Sequence, residues 1–201
     1  MRFIKDNRFI RGLYFLFRSY IRPSKDKFGY LGNNVILTPP IYFSKASNVF
    51  IYDNVCIGPF SLISAFNAKF IIQGNCSIAE GLTVHTGNHA MVLTQFCSSI
   101  TEQNKPNGYD KDIIVEQDVW IGCNVTLLSG IVIRRGCTIA AGAVVNKSTP
   151  PYCVVGGVPA KPIKFKWTID EILQHEKKLY PLEERYTRKE LDEIFRITVF
   201  P

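Results

Sequence analysis

Residues 113–149 read IIVEQDVWIGCNVTLLSGIVIRRGCTIAAGAVVNKST and carry an aliphatic side chain at every sixth position. These positions are Val115, Ile121, Leu127, Ile133, Ile139 and Val145. A second series, four residues after the first, holds small or β-branched side chains: Val119, Val125, Ile131, Cys137, Ala143 and Thr149. An amphipathic helix repeats about every 3.6 residues and a half-buried strand about every two. A period of six therefore indicates neither element alone.

The residue just before each member of the second series tolerates a tight turn. These residues are Asp118, Asn124, Gly130, Gly136 and Gly142. Gly, Asn and Asp adopt positive φ more readily than other residues. The pattern predicts short strands joined by tight corners, with each coil stacking its aliphatic side chains on the coil below. A β-sandwich of short strands is the alternative, but it gives no reason for one spacing to persist over 35 residues.

The same ladder occurs earlier in the chain, at Ile51, Ile57 and Ile63 and, after a slip of three residues, at Ile72, Ile78 and Val84. It then stops for about thirty residues before Val115. A long excursion without clear structure in a compact fold is usually either functional or disordered. We expect this excursion, residues 90–113, to be an arm that closes over the site of an adjacent subunit.

Two motifs make the sequence resemble the hexapeptide-repeat acyltransferases, which fold as a left-handed β-helix: the coil containing Trp120-Ile121-Gly122 and the ending VGGVPAK at residues 155–161. The resemblance covers roughly residues 35–165. It implies three hexads per triangular coil, a homotrimer, and acyl-CoA bound in the groove between neighbouring subunits. The predicted fold class is therefore mainly β: a left-handed parallel β-helix with an N-terminal helix, an excursion loop and C-terminal helices.

We expect three parts in the chain. Residues 1–30 form a basic helical arm, residues 31–166 form the β-helix domain with its loop, and residues 167–201 form a helical tail. In the tail, Thr168 and Thr187 each stand three residues before a Glu, which is the pattern of a capping box. The pattern predicts two helices that serve packing.

The sequence of the arm predicts a helix over residues 2–22, and Pro23 ends this helix. Its apolar side consists of Phe3, Phe9, Ile10, Leu13, Phe17, Tyr20 and Ile21, with Lys and Arg interleaved. Two interpretations remain open. One is a peripheral membrane contact, because basic and large apolar residues together suit an anionic lipid surface. The other is a helix docked on its own protein or on a neighbouring subunit.

Composition and charge exclude several classes of protein. Apolar residues make up 46% of the chain and charged residues 20%, as in ordinary globular proteins. Of the 24 Lys and Arg residues, eight lie in residues 1–30 beside only two Asp, whereas the rest of the chain is nearly balanced. A nucleic-acid binder spreads positive charge over a folded face, so we predict no nucleic-acid partner.

The predicted location is the cytoplasm, with the arm in peripheral contact with the inner membrane under the first interpretation. No apolar run approaches the roughly 20 residues of a membrane span. Arginines throughout the first residues argue against a secretory signal. The 6 cysteines are widely spaced without a Cys-x-x-Cys pair, which favours reduced packing thiols.

Two of the 3 histidines, His85 and His89, lie where the excursion begins. A neutral imidazole suits a general base near neutral pH. The Asn-His-x-Met element at residues 88–91 resembles the catalytic histidine motif of xenobiotic and sugar acetyltransferases. The resemblance implies that His89 is the base, whereas His85, Asn88 and Trp120 are candidate substrate contacts. His85 also fits a merely solvated position on a corner.

The resemblance further implies a site for acetyl-CoA as co-substrate and no metal. It implies that the backbone amide of Cys123 donates a hydrogen bond to the oxyanion and that the amide of Ala141 contacts the pantetheine arm of CoA. The remaining candidates for CoA binding are Asn146, Lys147, Gly157, Lys161 and Lys164. Lysines suit the phosphates of CoA as point charges, although a solvated basic face is the alternative.

The predicted function is transfer of an acetyl group from acetyl-CoA to a hydroxyl or amine of a sugar or nucleotide sugar, in the synthesis of a surface polysaccharide or lipopolysaccharide. A xenobiotic (antibiotic) or serine acceptor is an alternative. The antibiotic branch has Ser-Thr-x-Pro-Phe after its histidine motif, where this chain reads VLTQF at residues 92–96. A metal-dependent lyase of the γ carbonic anhydrase type would need His175 as a third ligand beside His85 and His89. A β-helix that only scaffolds partners is the last alternative.

Overall fold

The computed structural model describes residues 7–21 and 23–200. Helix α1 is Arg8–Tyr20, α2 is Ile169–Leu179 and α3 is Arg188–Ile197. Between α1 and α2 the chain forms short strands: β1 Tyr30–Leu31, β2 Ile36–Leu37, β3 Ile41–Phe43, β4 Val49–Ile51, β5 Cys56–Ile57, β6 Ser61–Ser64, β7 Phe70–Ile72, β8 Ser77–Ile78, β9 Thr83–His85, β10 Ile113–Val115, β11 Trp120–Ile121, β12 Thr126–Leu128, β13 Val132–Ile133, β14 Thr138–Ile139, β15 Val144–Val145, β16 Cys153–Gly157 and β17 Ala160–Phe165.

From β1 to β15, successive strands belong to different sheets, and the chain returns to the same sheet at every third strand. The sheet orders are β1-β4-β7-β10-β13, β2-β5-β8-β11-β14-β16-β17 and β3-β6-β9-β12-β15. Neighbouring strands are parallel, except that β17 pairs antiparallel with β16. The chain therefore winds as a three-sided coil, and the predicted mainly-β fold class of a hexapeptide β-helix with flanking helices is confirmed.

The strand register reproduces the spacing of the ladder. Ile121 pairs with Ile139, which lies 18 residues later, so one coil contains three hexads there. Ile51 pairs with Ile72, so an earlier coil has 21 residues. The slip of three residues in the sequence is thus a longer corner that leaves the inward positions in register.

The aliphatic ladder forms the core of the coil. Its members at residues 115, 121, 127, 133, 139 and 145 have at most 1% of their surface exposed. Every predicted corner residue has positive φ, from 55° at Asn124 to 82° at Gly130. The corners therefore turn where the sequence pattern placed them.

The helical tail packs on the last coil through a small core of its own, made of Tyr152, Ile172 and Leu191. Both capping boxes are formed: Thr168 accepts from the Glu171 amide, and Thr187 accepts from the Glu190 amide. These contacts confirm the predicted starts of α2 and α3.

A buried carboxylate joins the tail to the coil. Glu176 has no exposed surface. It accepts hydrogen bonds from the Tyr152 hydroxyl at 2.7 Å, from the Tyr186 amide at 2.7 Å and from Arg135 at 3.2 Å. Because a buried charge needs partners, these three donors fix the position of α2 on the coil.

The N-terminal arm is helical where it is described. Asn7 caps α1 by accepting hydrogen bonds from the amides of Phe9 and Ile10. The helix was predicted over residues 2–22; residues 2–6 and 22 lie outside the described residues, and α1 itself runs Arg8–Tyr20. None of the described helices has the length and hydrophobicity required to cross a bilayer.

The six cysteines are unpaired. Cys76, Cys137 and Cys153 are buried, and burial raises the pKa of the Cys76 and Cys137 thiols to about 12. These agree with the expectation of packing thiols. Cys97 is exposed and therefore departs from it.

Two corner glycines with positive φ test how the coil depends on tight corners. A Cβ on Gly136 would overlap the Tyr152 ring, whereas a Cβ on Gly142 meets nothing within 4 Å. Gly142→Ala should cost about 1–2 kcal/mol of unfolding free energy from the backbone alone. Gly136→Ala should cost at least about 2 kcal/mol more, because the ring is buried and must move. Chemical unfolding at equal protein concentration measures both, and equal losses would contradict the assigned packing of Tyr152.

Candidate active site

The excursion leaves the coil after β9 and returns at β10, so it covers residues 86–112 rather than the predicted 90–113. Ile113 already pairs with Phe70. The base of the excursion is held by backbone contacts: the Thr86 amide donates to the Ser64 carbonyl at 3.1 Å, and the Lys111 amide donates to the Thr86 carbonyl at 3.0 Å. These bonds bring the two ends of the excursion together on one corner of the coil.

Asp110 is the centre of the contacts within the excursion. Its carboxylate accepts hydrogen bonds from the Asn88 amide at 2.9 Å and from the Asn67 side chain at 3.0 Å, and it lies 2.7 Å from Lys105 Nζ. Burial acts to raise the pKa of Asp110, but the bonds from Lys105, Asn88 and Asn67 outweigh it and lower the pKa. The carboxylate is therefore charged at neutral pH and holds the segment that precedes His89.

Asn88 is fixed from two further directions. Its side-chain amide donates to the Tyr109 carbonyl at 3.3 Å, and its own carbonyl accepts from Lys105 at 3.3 Å. Asn88 was predicted as a substrate contact. In the structure its side chain is bonded within the excursion and helps to hold the segment next to His89. A contact between Asn88 and a substrate stays a prediction.

His89 projects from this anchored segment and is exposed. Its Nδ1 lies 3.8 Å from the Sγ of Cys97, a thiol farther along the excursion. His85 is half-buried at the end of β9, where it pairs with Ser64 and Leu128. The structure thus brings His85, Asn88 and His89 to the same corner.

A second corner carries the predicted oxyanion and pantetheine amides. Cys123 and Ala141 lie on successive coils, and the Gly142 amide donates to the Cys123 carbonyl at 2.8 Å. Within the described part of the chain, neither the Cys123 amide nor the Ala141 amide donates to an acceptor. Gly122 has no room for a side chain, since a Cβ would stand 2.8 Å from the Ala141 nitrogen. Two backbone donors are therefore held rigidly and remain available to an external acceptor.

The β16–β17 hairpin continues this second corner. Gly156 stacks on Ala140, where a Cβ would stand 2.9 Å from the Ala140 Cβ. Gly157 has φ of 94° and makes the turn, and Lys161 pairs with Gly156. Lys161 and Lys164 are both exposed on β17. Cys123, Ala141, Gly157 and the two lysines thus follow one another along the same corner.

The other predicted CoA residues lie elsewhere. Asn146 and Lys147 follow β15 directly, one coil beyond Leu128, and are therefore at the corner of His85. Trp120 is the first residue of β11 and pairs with Ser77 and Thr138 in the neighbouring strands. It is 57% exposed and lies on the same side of the coil as the strand that precedes Cys123. Within one chain, the predicted residues form two groups at opposite ends of the side built by β12.

The third histidine takes no part in either group. His175 packs against Trp167 with ring centroids 4.7 Å apart, and its Nε2 lies 3.3 Å from Asp118 Oδ2 without hydrogen-bond geometry. Over residues 7–21 and 23–200, no group of three or more His, Cys, Asp or Glu side chains is arranged to hold a metal ion. The ligand set that a γ carbonic anhydrase would take from His85, His89 and His175 does not assemble within the chain.

Sequence reasoning missed Asp110, Lys105, Asn67 and Cys97. Asn67 and Asp110 are 43 residues apart, and no periodic pattern connects them. The charged residues between Thr101 and Asp112 marked the segment as polar, but this signal did not reveal which side chain would become the centre.

The sequence matches the family described as bacterial transferase hexapeptide (six repeats) over residues 112–147. It is 31% identical to the galactoside O-acetyltransferase of Escherichia coli (strain K12) over 147 residues, which are 70% of this chain and 65% of that protein. It is 35% identical to a probable macrolide acetyltransferase of Lysinibacillus sphaericus over 123 residues, 61% of this chain and 66% of that protein. The chain spans slightly less than two thirds of the length of these curated relatives.

The likeness extends to solved structures. A galactoside acetyltransferase in complex with coenzyme A superposes with a TM-score of 0.63 and 26% sequence identity. The alignment covers 89% of this chain and 87% of that chain. The similarity therefore includes most of both chains and is wider than the repeat region alone.

Removal of the Asp110 carboxylate should loosen the excursion without unfolding the coil. Asp110→Ala leaves Lys105 and the Asn88 amide without their shared acceptor, so local opening should become at least about tenfold more frequent. Limited digestion with a protease that cleaves after glutamate should then cut at Glu102 about tenfold faster, while the melting temperature changes little. Asp192→Ala, on the exposed side of α3, is the matched control. Unchanged cleavage at Glu102 would show that Asp110 does not hold the excursion.

Proposed function

The chain belongs to the hexapeptide-repeat transferases, and on that premise we propose that it is an acetyl-CoA-dependent acetyltransferase that acylates a sugar hydroxyl. One observation carries the proposal: an exposed imidazole stands on one corner of the coil, and two backbone amides that have no acceptor among the described residues stand on another. Acyl transfer needs a base and an oxyanion donor of this kind.

The two corners combine when subunits meet. A homotrimer that sets the His89 corner of one protomer against the Cys123 corner of the next would place base and donors on opposite walls of one groove. Symmetric assemblies repeat such a heterologous contact around a closed ring. The separation of the two groups within the chain supports a site shared by two protomers.

The bond changes balance without any further reactant. His89 takes the proton of the acceptor hydroxyl as its oxygen attacks the thioester carbonyl carbon. The carbon–sulfur bond then breaks, and the leaving thiolate of CoA takes the proton back from the imidazolium. The products are the acetyl ester and free CoA, and His89 returns to its starting state.

The Cys123 amide is the proposed donor to the oxyanion. A backbone N–H fixed before the reaction stabilises developing negative charge without reorganisation. The corner holds this amide rigidly, because the Ala141 nitrogen leaves no room for a side chain at Gly122. The thiol of Cys123 has no part in this scheme.

The residues along the same corner fit CoA. The pantetheine arm contains amide groups, and the Ala141 amide offers it a donor for which the described residues provide no competing acceptor. Gly156 and Gly157 have no side chains that would project beside this amide. Lys161 and Lys164 add positive charge on β17. Lysine binds phosphate as a point charge. Asn146 and Lys147 would approach the same molecule from the protomer that supplies His89.

A sugar is the proposed acceptor, as part of a surface polysaccharide or lipopolysaccharide. The E. coli relative is a galactoside O-acetyltransferase, and it aligns over more of this chain than the macrolide enzyme does. His85 lies beside the base and is suited to contact such an acceptor. An antibiotic acceptor is the second candidate, favoured by the macrolide relative, but residues 92–96 lack the Ser-Thr-x-Pro-Phe stretch of that branch.

Replacement of the base should remove catalysis and leave assembly intact. His89→Ala should lower kcat for acetyl transfer by about 10²–10⁴-fold, the usual contribution of general base catalysis. The assay follows release of free thiol from acetyl-CoA with a panel of sugars and nucleotide sugars, and light scattering checks the oligomer. His85→Ala is the matched control and should chiefly raise KM for the acceptor. Loss of activity only in His85→Ala would assign the base to the wrong histidine.

Charge reversal on β17 should weaken CoA binding. Lys161→Glu with Lys164→Glu should raise KM for acetyl-CoA at least about tenfold with little change in kcat, since each lysine faces phosphate. The double variant Lys177→Glu with Lys178→Glu makes the same charge change on exposed positions of α2 and controls for net charge. An unchanged KM in the β17 variant would remove these lysines from the site.

A further inference from the structure

Helix α1 is amphipathic, but its ring and hydrogen-bond contacts with the β-helix come from Phe15 and Arg18. At about 100° per residue, Phe9, Leu13, Leu16, Phe17 and Tyr20 share one side of the helix. We call these five residues the α1 apolar face. Their exposed fractions are 74%, 38%, 52%, 58% and 55%, in that order.

The contacts that hold α1 come from the opposite side. The Arg18 guanidinium donates to the Phe43 carbonyl at 3.2 Å and lies 5.0 Å from the centre of the Tyr42 ring. Phe15 stacks on the same ring with centroids 5.5 Å apart. Phe15 and Arg18 lie about 140–160° around the helix from the middle of the α1 apolar face. Most of the face therefore points away from the fold to which the helix is fixed, and Phe17, at the edge of the face, borders a cleft between α1 and Phe43.

The charged residues of α1 all have one sign. Residues 7–21 contain Arg8, Arg11 and Arg18 and no acidic residue. The chain beyond residue 30 has nearly equal numbers of acidic and basic residues, so a second copy offers no acidic excess to complement these arginines. An anionic lipid surface offers both an apolar interior for the aromatic side chains and negative charge for the arginines.

We propose that the α1 apolar face docks on an anionic lipid surface, with the helix parallel to the bilayer and the β-helix held on its water-facing side by Phe15 and Arg18. Large apolar residues on one side of such a helix enter the boundary between headgroups and acyl chains, while Arg8 and Arg11 extend to the phosphates. The proposal does not depend on the acyl-transfer chemistry.

Co-sedimentation of the full chain with vesicles tests the proposal. The protein should bind phosphatidylcholine vesicles that contain about 30% phosphatidylglycerol, and binding should fall about tenfold on pure phosphatidylcholine or at about 0.5 M salt. Leu13→Glu with Tyr20→Glu should lose at least about tenfold in binding, because acidic groups then occupy the centre of the face. Leu182→Glu, at an apolar residue of the tail that is 76% exposed, is the matched control and should bind as before.

Three results would overturn the proposal: no binding of the unaltered protein to the anionic vesicles, equal binding of the double Glu variant, or equal binding of all proteins with and without phosphatidylglycerol. Light scattering on the same samples identifies the main competitor. If the oligomer of the double Glu variant has a different mass and the unaltered protein does not bind vesicles, the face is a contact between subunits. Under the proposal, the double Glu variant keeps the acetyltransferase activity of the unaltered protein in solution. Failure of the lipid-binding proposal and failure of the proposed function are therefore separate outcomes.

Discussion

No coil of this protein can bury its own inward side chains, and that constraint organises the rest of the molecule. Ile121 is covered only because Ile78 lies on one side of it and Ile139 on the other in the same sheet. Such a stack remains in register only if every corner turns at the same place, which is why residues with positive φ recur at the corners. The consequence for chemistry is that backbone amides at the corners are fixed as firmly as the core itself. A donor such as the Cys123 amide therefore needs no ligand to bring it into position.

The same regularity cannot supply a base, because each corner of a uniform coil presents the same backbone. The excursion solves this by leaving the coil at one corner and carrying its own polar core. Asp110, Lys105 and Asn67 satisfy one another there, so the segment before His89 is ordered by charges and hydrogen bonds rather than by aliphatic stacking. Under the proposed function the molecule separates two tasks: the coil fixes donors, and the excursion positions an imidazole. Since the two groups lie at different corners, the proposal needs a neighbouring protomer to bring them together.

The parts that could be predicted from the sequence are those that repeat or that depend on near neighbours. The ladder through Ile121 and Ile139 is predicted by a fixed spacing of six residues in the sequence. The capping boxes at Thr168 and Thr187 require only a Glu three positions later. The contact between Asn67 and Asp110 has no such signal, because its strength comes from a fold that brings together residues far apart in the chain. The exposure of Cys97 beside His89 was missed for the same reason. Periodicity also shows that α1 has an apolar side, but it does not show which side the β-helix uses, since that choice depends on Tyr42 and the carbonyls beside it.

The two ends of the stack show why α1 is free for a role outside the core. At the C-terminal end, β17 pairs antiparallel with β16, and Glu176 fixes α2 against the last coil, so the open end is covered by elements of the chain. At the N-terminal end, Phe28 packs edge-on against Phe43 at 5.1 Å, and both rings are buried. Residues after α1 therefore supply part of the cover of the first coil. A helix that was needed as a cap would turn its apolar side to the coil, because burial of that side would be its contribution to stability. α1 is attached through Phe15 and Arg18 instead, and this leaves most of its apolar side exposed, where a surface other than the core can bind it.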